Sequence, residues 1–269
     1  MASLLIDAYK IQLIVNHMML TITPFIPNGV ANDWQKAVNC LERTIGSILG
    51  NPERDLRAIV ICQDRPPLRI KDERYIFLQT KQPKPNREDY DAKLHDIGLK
   101  TAEAFETARD FSPDYVMVVD ADDLISNTLV SYVYQRPNFD AFCLKVGYEW
   151  REGASTFTIR HRFNQYCGSS HVYRFEDRLF PVWLGKSTTK RVCDQSHSYV
   201  EGALDAERLQ VHKIWECKAV YVTGHGNNLD LVGHRLTMKR RIKDLVFSPW
   251  RNKPITPELR TEFGLQSEQ

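Results

Sequence analysis

The chain has 269 residues, with 36 Lys and Arg against 34 Asp and Glu for a net charge of +2, and is 42% hydrophobic and 26% charged. That length supports a sizeable buried core and excludes a small stapled scaffold, while the near-balance of charge excludes a dedicated nucleic-acid binder, which shows a clear basic excess. The composition is that of a self-folding soluble protein and not of a disordered or fibrous one.

Taken in order, the opening residues MASLLIDAYK carry Asp7 and Lys10 where a secretory segment needs an unbroken apolar run. The apolar stretch 11–26 is interrupted by Gln12, Asn16 and His17, short of the ~20 apolar residues that span a bilayer. Cys40, Cys62, Cys143, Cys167, Cys193 and Cys217 are dispersed, with no CxxC pair among them. This spacing argues against a zinc finger or thioredoxin-like site and, without a secretory segment, for a reducing, cytoplasmic setting.

The β-branched run at 11–15 (IQLIV) predicts a first buried strand with Asn16 and His17 at its carboxyl end. At 37–49, Val38, Leu41, Ile45, Ile48 and Leu49 fall at helical spacing, and Gly50-Asn51-Pro52 stops the helix. The continuous apolar run 58–62 predicts a strand buried on both faces and closed by Gln63-Asp64, and 74–78 a third strand. Residues 86–109 read as a loop and a long helix with an apolar stripe of Leu94, Ile97, Ala104, Phe105 and Ala108. The clearest strand is 115–119 (YVMVV), which runs into Asp120-Ala121-Asp122-Asp123.

This alternation of strands and helices predicts a mixed, mainly parallel α/β sheet with helices on both faces, in a single compact domain. Ligands in such sheets bind outside the carboxyl ends of the strands, where Asn16-His17, Gln63-Asp64 and the aspartate cluster would converge. Beyond Asp123 the pattern is less regular, with strands expected at 141–146, 156–163, 171–175 and 220–223, the last leading into Gly224-His225-Gly226. From residue 229 a basic helix with Arg235, Lys239, Arg240, Arg241 and Lys243 forms an expected C-terminal tail, 229–269. Its positive face is either an ordinary solvated surface or a peripheral contact with anionic lipid at the inner face of a membrane.

Carboxylates crowded at the end of a buried strand repel one another unless a cation neutralises them, and oxygen ligands suit Mg²⁺ or Mn²⁺ bridging to a substrate's phosphates. An isolated acidic turn that merely caps the following segment is the plain alternative. The segment VMVVDADDLIS resembles the DxD segment of GT-A-fold, family-2-like glycosyltransferases, and follows an N-terminal half as it does in that family. The resemblance implies a GT-A-like, Rossmann-like catalytic domain over 1–228, with 1–125 binding nucleotide and 126–228 facing the acceptor.

It further implies that Asp120 and Asp122 hold a Mn²⁺ or Mg²⁺ ion and the diphosphate of a nucleotide-sugar donor, with Asp123 beside the sugar. Asp64 is then expected at the base or ribose, Lys93 at the base or phosphate, and His225 as the third metal ligand. The implied activity is transfer of a hexose from a nucleoside-diphosphate sugar, UDP-linked by preference, to a saccharide or lipid-linked acceptor. An inverting reaction needs a proton acceptor, for which Asp194 leads, followed by Glu176 and His197, with Glu201 also within the expected interval. Trp150, Trp183 and Tyr199 are candidates for stacking on sugar rings, or else core residues. For Lys93, and more so for Lys100, the plain reading of a solvated helix lysine is the stronger one.

Two other readings share the motif. A haloacid-dehalogenase-like phosphatase also places DxD after an apolar strand, but near the start of its domain. A catalytically inert nucleotide- or glycan-binding protein of the same fold would bind donor without turnover.

Overall fold

A computed structural model describes residues 18–176, 179, 197–226 and 251–265. The strand expected at 11–15 lies outside these residues. The first strand described is β1 (Met19–Pro24), in a segment whose two threonines interrupt the apolar pattern. Thr21 and Thr23 are buried all the same, β-branched side chains being well suited to a strand. Helix α1 (Trp34–Leu49) is capped by Asp33, whose carboxylate accepts from the Lys36 backbone N–H, and buries Val38, Leu41, Ile45 and Ile48. There follow β2 (Leu56–Cys62), β3 (Tyr75–Gln79), α2 (Tyr90–Ala108), β4 (Tyr115–Val118) and the two-residue β5 (Leu124–Ile125).

The second half contains α3 (Leu129–Tyr134), β6 (Ala141–Leu144), β7 (Val146–Arg151), β8 (Thr156–His161), β9 (His171–Arg174), α4 (Val200–Ala206), β10 (Val211–Ile214) and β11 (Ala219–Thr223). Strand β12 (Asn252–Pro254) and helix α5 (Pro257–Glu262) follow.

Seven strands form the main sheet in the order β10-β6-β9-β4-β1-β2-β3. Its pairs are parallel except where β9 lies antiparallel between β4 and β6. Alternation of side chains along the strands separates two cores. Met19, Ala58, Val60, Tyr115 and Met117 pack with α1 on one face, whereas Leu20, Ile22, Ile59, Ile61 and Val116 meet Ala104, Phe105 and Ala108 of α2 on the other. This is the mixed, mainly parallel sheet with helices on both faces that the sequence predicts.

A second sheet, β12-β8-β7-β11-β5, encloses a smaller core of Leu124, Trp150, Phe157, Val220, Val222 and Phe263. Of the expected C-terminal tail, residues 251–265 are described, and they pack into this sheet instead of projecting. Strand β12 pairs with β8, the Phe263 ring is fully buried, and Glu262 accepts hydrogen bonds from the Asn127 backbone N–H at 2.9 Å and the Ser126 hydroxyl at 2.6 Å. The basic stretch 235–243 lies outside the described residues. Among the described residues no helix is long and apolar enough to cross a membrane.

Candidate functional site

The aspartate cluster closes a tight turn at the carboxyl end of β4, where the Asp123 N–H donates to the Asp120 carbonyl at 3.1 Å. Its three carboxylates face different surroundings. Asp123 is fully buried, accepting from the Cys167 thiol at 3.0 Å, the Ser169 hydroxyl at 2.7 Å and the Val222 N–H at 3.3 Å. Burial, with the like charges of Asp122 and Asp120, pushes its pKa well above the usual carboxylate range. Asp123 therefore braces the turn from beneath, and does not stand beside a donor sugar as the resemblance implied.

The Asp120 backbone N–H donates to the same Ser169 hydroxyl at 2.8 Å, and its carboxylate lies against Gly168, where an added Cβ would come within 2.4 Å of Oδ2. The close approach makes Gly168 a positioning element for Asp120. In Gly168→Ala the carboxylate must swing away from the position it holds here.

Asp122 is the partly exposed member, its side chain 22% accessible, and its Oδ2 stands 2.8 Å from Nε2 of His225, which is 1% accessible. His225 sits between Gly224 and Gly226, whose φ angles of +89° and +80° bring the loop after β11 back over the turn. Gly226 in turn accepts from the Asn32 amide at 3.4 Å, tying this loop to the one after β1. The 2.8 Å separation is close to the ~3 Å between neighbouring ligands of a small octahedral ion bound at ~2.1 Å. A slight parting of the two side chains would admit such an ion.

Among the described residues no group of three or more His, Cys, Asp or Glu side chains could hold a metal ion. Of the expected trio, the structure brings Asp122 and His225 together at 2.8 Å, while the Asp120 carboxylate lies against Gly168. A pair suits ions that take their remaining ligands from phosphate and water.

At the ends of β1 and β2, Asp64 accepts from the Asn28 backbone N–H at 2.8 Å and pairs with Lys84 at 2.8 Å. Lys84 also donates to the Asn28 carbonyl at 3.1 Å, so Asp64 anchors the loop after β1. Lys93 lies half-buried in the first turn of α2. The lysine that the fold buries is Lys100, 1% accessible, which donates to Asp96 and to the Phe25 carbonyl, both at 2.6 Å. Gln63 completes this network by donating to Asp96 at 2.8 Å. Sequence reasoning missed Asp96, although the i, i+4 spacing of Asp96 and Lys100 was available as a signal.

The proton-acceptor candidates separate. Asp194 lies outside the described residues, as does Trp183. Glu176 follows β9, whose antiparallel course carries it to the opposite edge of the sheet, where Phe175 donates to the Asp114 carbonyl just before β4. It is thus removed from the acidic turn, and its assignment is corrected. His197 places Nε2 3.2 Å from the Gln165 carbonyl, and Glu201 accepts from Lys145 at 2.7 Å and Asn164 at 3.0 Å. Trp150 is a core residue, its indole N–H donating to the Ala154 carbonyl at 2.9 Å, while Tyr199 is 70% exposed.

His171, at the start of β9, is buried, with Nδ1 3.0 Å from the Ser170 hydroxyl. Burial brings its pKa down to about 3, below the ordinary ~6.5 of an exposed histidine. Protonation therefore favours the unfolded chain: stability is complete above pH ~6.5 and is lost as pH falls from there toward the folded value. Urea unfolding at pH 7 and pH 5 should show the wild type losing ~2 kcal/mol more than His171→Asn. Equal losses would mean that this imidazole is not kept neutral by burial.

The sheet order and the helices on both faces give the chain a mixed, mainly parallel α/β fold with an acidic turn at the carboxyl end of β4. No family model matches the chain, and no curated protein sequence does. Among solved structures it is similar to S. aureus TarS, at 12% identity and a TM-score of 0.47 over 76% of this chain, and it spans 60% of that structure. It is also similar to TarS in complex with UDP-GlcNAc, at 11% identity and a TM-score of 0.43 over 79% of this chain and 60% of that one. The 2-C-methyl-D-erythritol 4-phosphate cytidylyltransferase of Francisella tularensis aligns at 15% identity and a TM-score of 0.38, over 87% of this chain and 99% of that one.

Proposed function

We propose that the chain is a glycosyltransferase that moves a hexose from a nucleoside-diphosphate sugar, with UDP as the favoured nucleotide. The observation that carries the reading is the acidic turn at the carboxyl end of β4, with the Asp122–His225 pair closed over it at 2.8 Å. An edge of this kind, outside the carboxyl ends of parallel strands, is where α/β sheets bind ligands. Asp122 and His225 would hold a divalent ion, Mn²⁺ or Mg²⁺, which when bound neutralises the leaving diphosphate. The chain's own contribution is positional. Asp123 and Ser169 keep the turn in shape, Asp64 and Lys84 hold the loop after β1, and Gly224 and Gly226 seat His225 against Asp122.

Calorimetric titration of UDP, then GDP, with and without Mn²⁺ tests the proposal. Binding that requires Mn²⁺ and prefers UDP is the expected result. Absence of binding by either nucleotide under both conditions would overturn it and return the phosphatase and inert-scaffold readings.

A further inference from the structure

The loop that carries His225 is poorly suited to hold itself in place. Gly224 and Gly226 flank the imidazole at φ of +89° and +80°, and glycine loses more conformational freedom on ordering than any other residue. The position of His225 therefore depends on ties from outside the loop, and the structure shows one on each flank.

On the far flank the Gly226 carbonyl accepts from the Asn32 amide at 3.4 Å, and Asn32 directly precedes Asp33, the cap of α1. On the near flank the carbonyl of Thr223, the last residue of β11, accepts from the Glu152 backbone N–H at 2.9 Å. Glu152 stands in the turn between β7 and β8, next to Arg151, which lies opposite Thr223 in the parallel β7–β11 pair. An added Cβ on Gly224 would come within 3.2 Å of Arg151 Cγ, so loop and turn meet closely.

From that turn the Glu152 side chain reaches α1. Its Oε1 lies 2.5 Å from Arg43 and its Oε2 3.8 Å from Lys36, two residues seven apart on one face of the helix. The Arg43 guanidinium also donates to Cys40 Sγ at 3.4 Å and sits 5.7 Å from the centroid of the Trp150 ring, two residues before Glu152. An exposed ion pair contributes little because both side chains move freely, but here the cation rests on a core indole and the pair is largely shielded, its side chains 31% and 26% accessible. A flat guanidinium that serves a carboxylate and a ring together is a task for arginine. Both flanks of His225 thus lead back to the same helix.

We infer that Arg43 and Glu152 form a strut that positions His225. The ion pair ties the β7–β8 turn to α1, the turn holds Thr223, and Thr223 fixes the start of the glycine loop so that Nε2 meets Asp122. Arg43 and Glu152 are positioning residues, acting on His225 through the loop backbone. That this positioning serves a divalent ion rests on the function proposed above; the strut itself does not.

The His225 ring gives the test. A carboxylate oxygen accepts, so Nε2 is the donor of the 2.8 Å contact with Asp122. The full chain, labelled with ¹⁵N-histidine, is observed by NMR through its ring N–H groups, with His225→Ala identifying the His225 signal and the buried His171 ring as internal control. In the wild type the His225 ring N–H should be visible and exchange slowly with water. Arg43→Gln and Glu152→Gln should each speed that exchange about tenfold or more through local opening, with the His171 ring within about twofold of wild type. The double variant should add less than about twofold to either, as expected of two residues that act as one unit. Titration of Mn²⁺ followed by electron paramagnetic resonance should show affinity falling about tenfold in each single variant, the scale of a lost supporting contact. A His225 ring N–H missing from the wild type, or equally protected in both single variants, overturns the strut. So do effects that multiply in the double variant, and exchange that rises alike at His225 and His171, which would report only a weakened fold. A wild type that ignores Mn²⁺ while its ring signals respond as expected upholds the strut and overturns the divalent-ion reading.

Discussion

Asp122→Asn is expected to weaken Mn²⁺-dependent UDP binding by ~100-fold or more, since loss of a group that merely supports a ligand already costs 10–100-fold. The change keeps the side chain's shape and the oxygen or nitrogen that meets His225, but removes the negative charge that a divalent ion needs. Asp122 is a partly exposed residue of a turn whose structural bonds run through Asp123 and Asp120. The variant should accordingly melt within a few degrees of the wild type. Near-normal Mn²⁺-dependent affinity would remove Asp122 from the site. His225→Ala provides an independent check, with a similar loss of Mn²⁺ dependence expected from the other side of the pair.

The largest effect on stability is expected from Lys100→Met. Among the described residues, the substitution leaves buried Asp96 with Gln63 as its remaining side-chain partner and strips the Phe25 carbonyl of the Lys100 donor. Breaking a buried pair by removing one member typically costs ~3–5 kcal/mol, a large part of the ~5–15 kcal/mol that holds a domain together. The double variant Lys100→Met/Asp96→Leu should recover at least half of the loss, because the uncompensated charge goes with the second change. Urea unfolding of the three proteins measures this directly. A single variant within ~1 kcal/mol of the wild type would mean that the pair is not a buried one in solution. Because Phe25 and Gln63 directly follow β1 and β2, the single variant should also weaken UDP binding.

The inner strands of the main sheet were legible because β2 and β4 are continuous apolar runs, the mark of strands buried on both faces. The first helix was legible from its spacing and the Gly50 that follows it. β1 was not, since Thr21 and Thr23 break the apolar run while the strand's position, with β2 on one side and β4 on the other, decides the outcome. Short elements such as β5, β10 and α4 carry too few residues for a period to show. The acidic turn could be located but not partitioned. Asp122 and Asp123 are adjacent in sequence and identical in type, and only the tertiary contacts of Cys167, Ser169 and Val222 make one a buried brace and leave the other a partly exposed carboxylate beside His225. Glu176 was misplaced for a related reason: nothing in the residues HVYR reports that β9 runs against its neighbours.

The link between Ser126 and Glu262, 136 residues apart, has a consequence for how the protein is made. During synthesis the parallel core of β1 to β4 emerges early, yet the segment just past the acidic turn waits for the last described helix to leave the ribosome before its hydroxyl and the Asn127 N–H find their acceptors. Contacts of such long separation form late and slowly. The nascent chain would thus carry the segment just past the acidic turn unfinished until residue 262 has emerged.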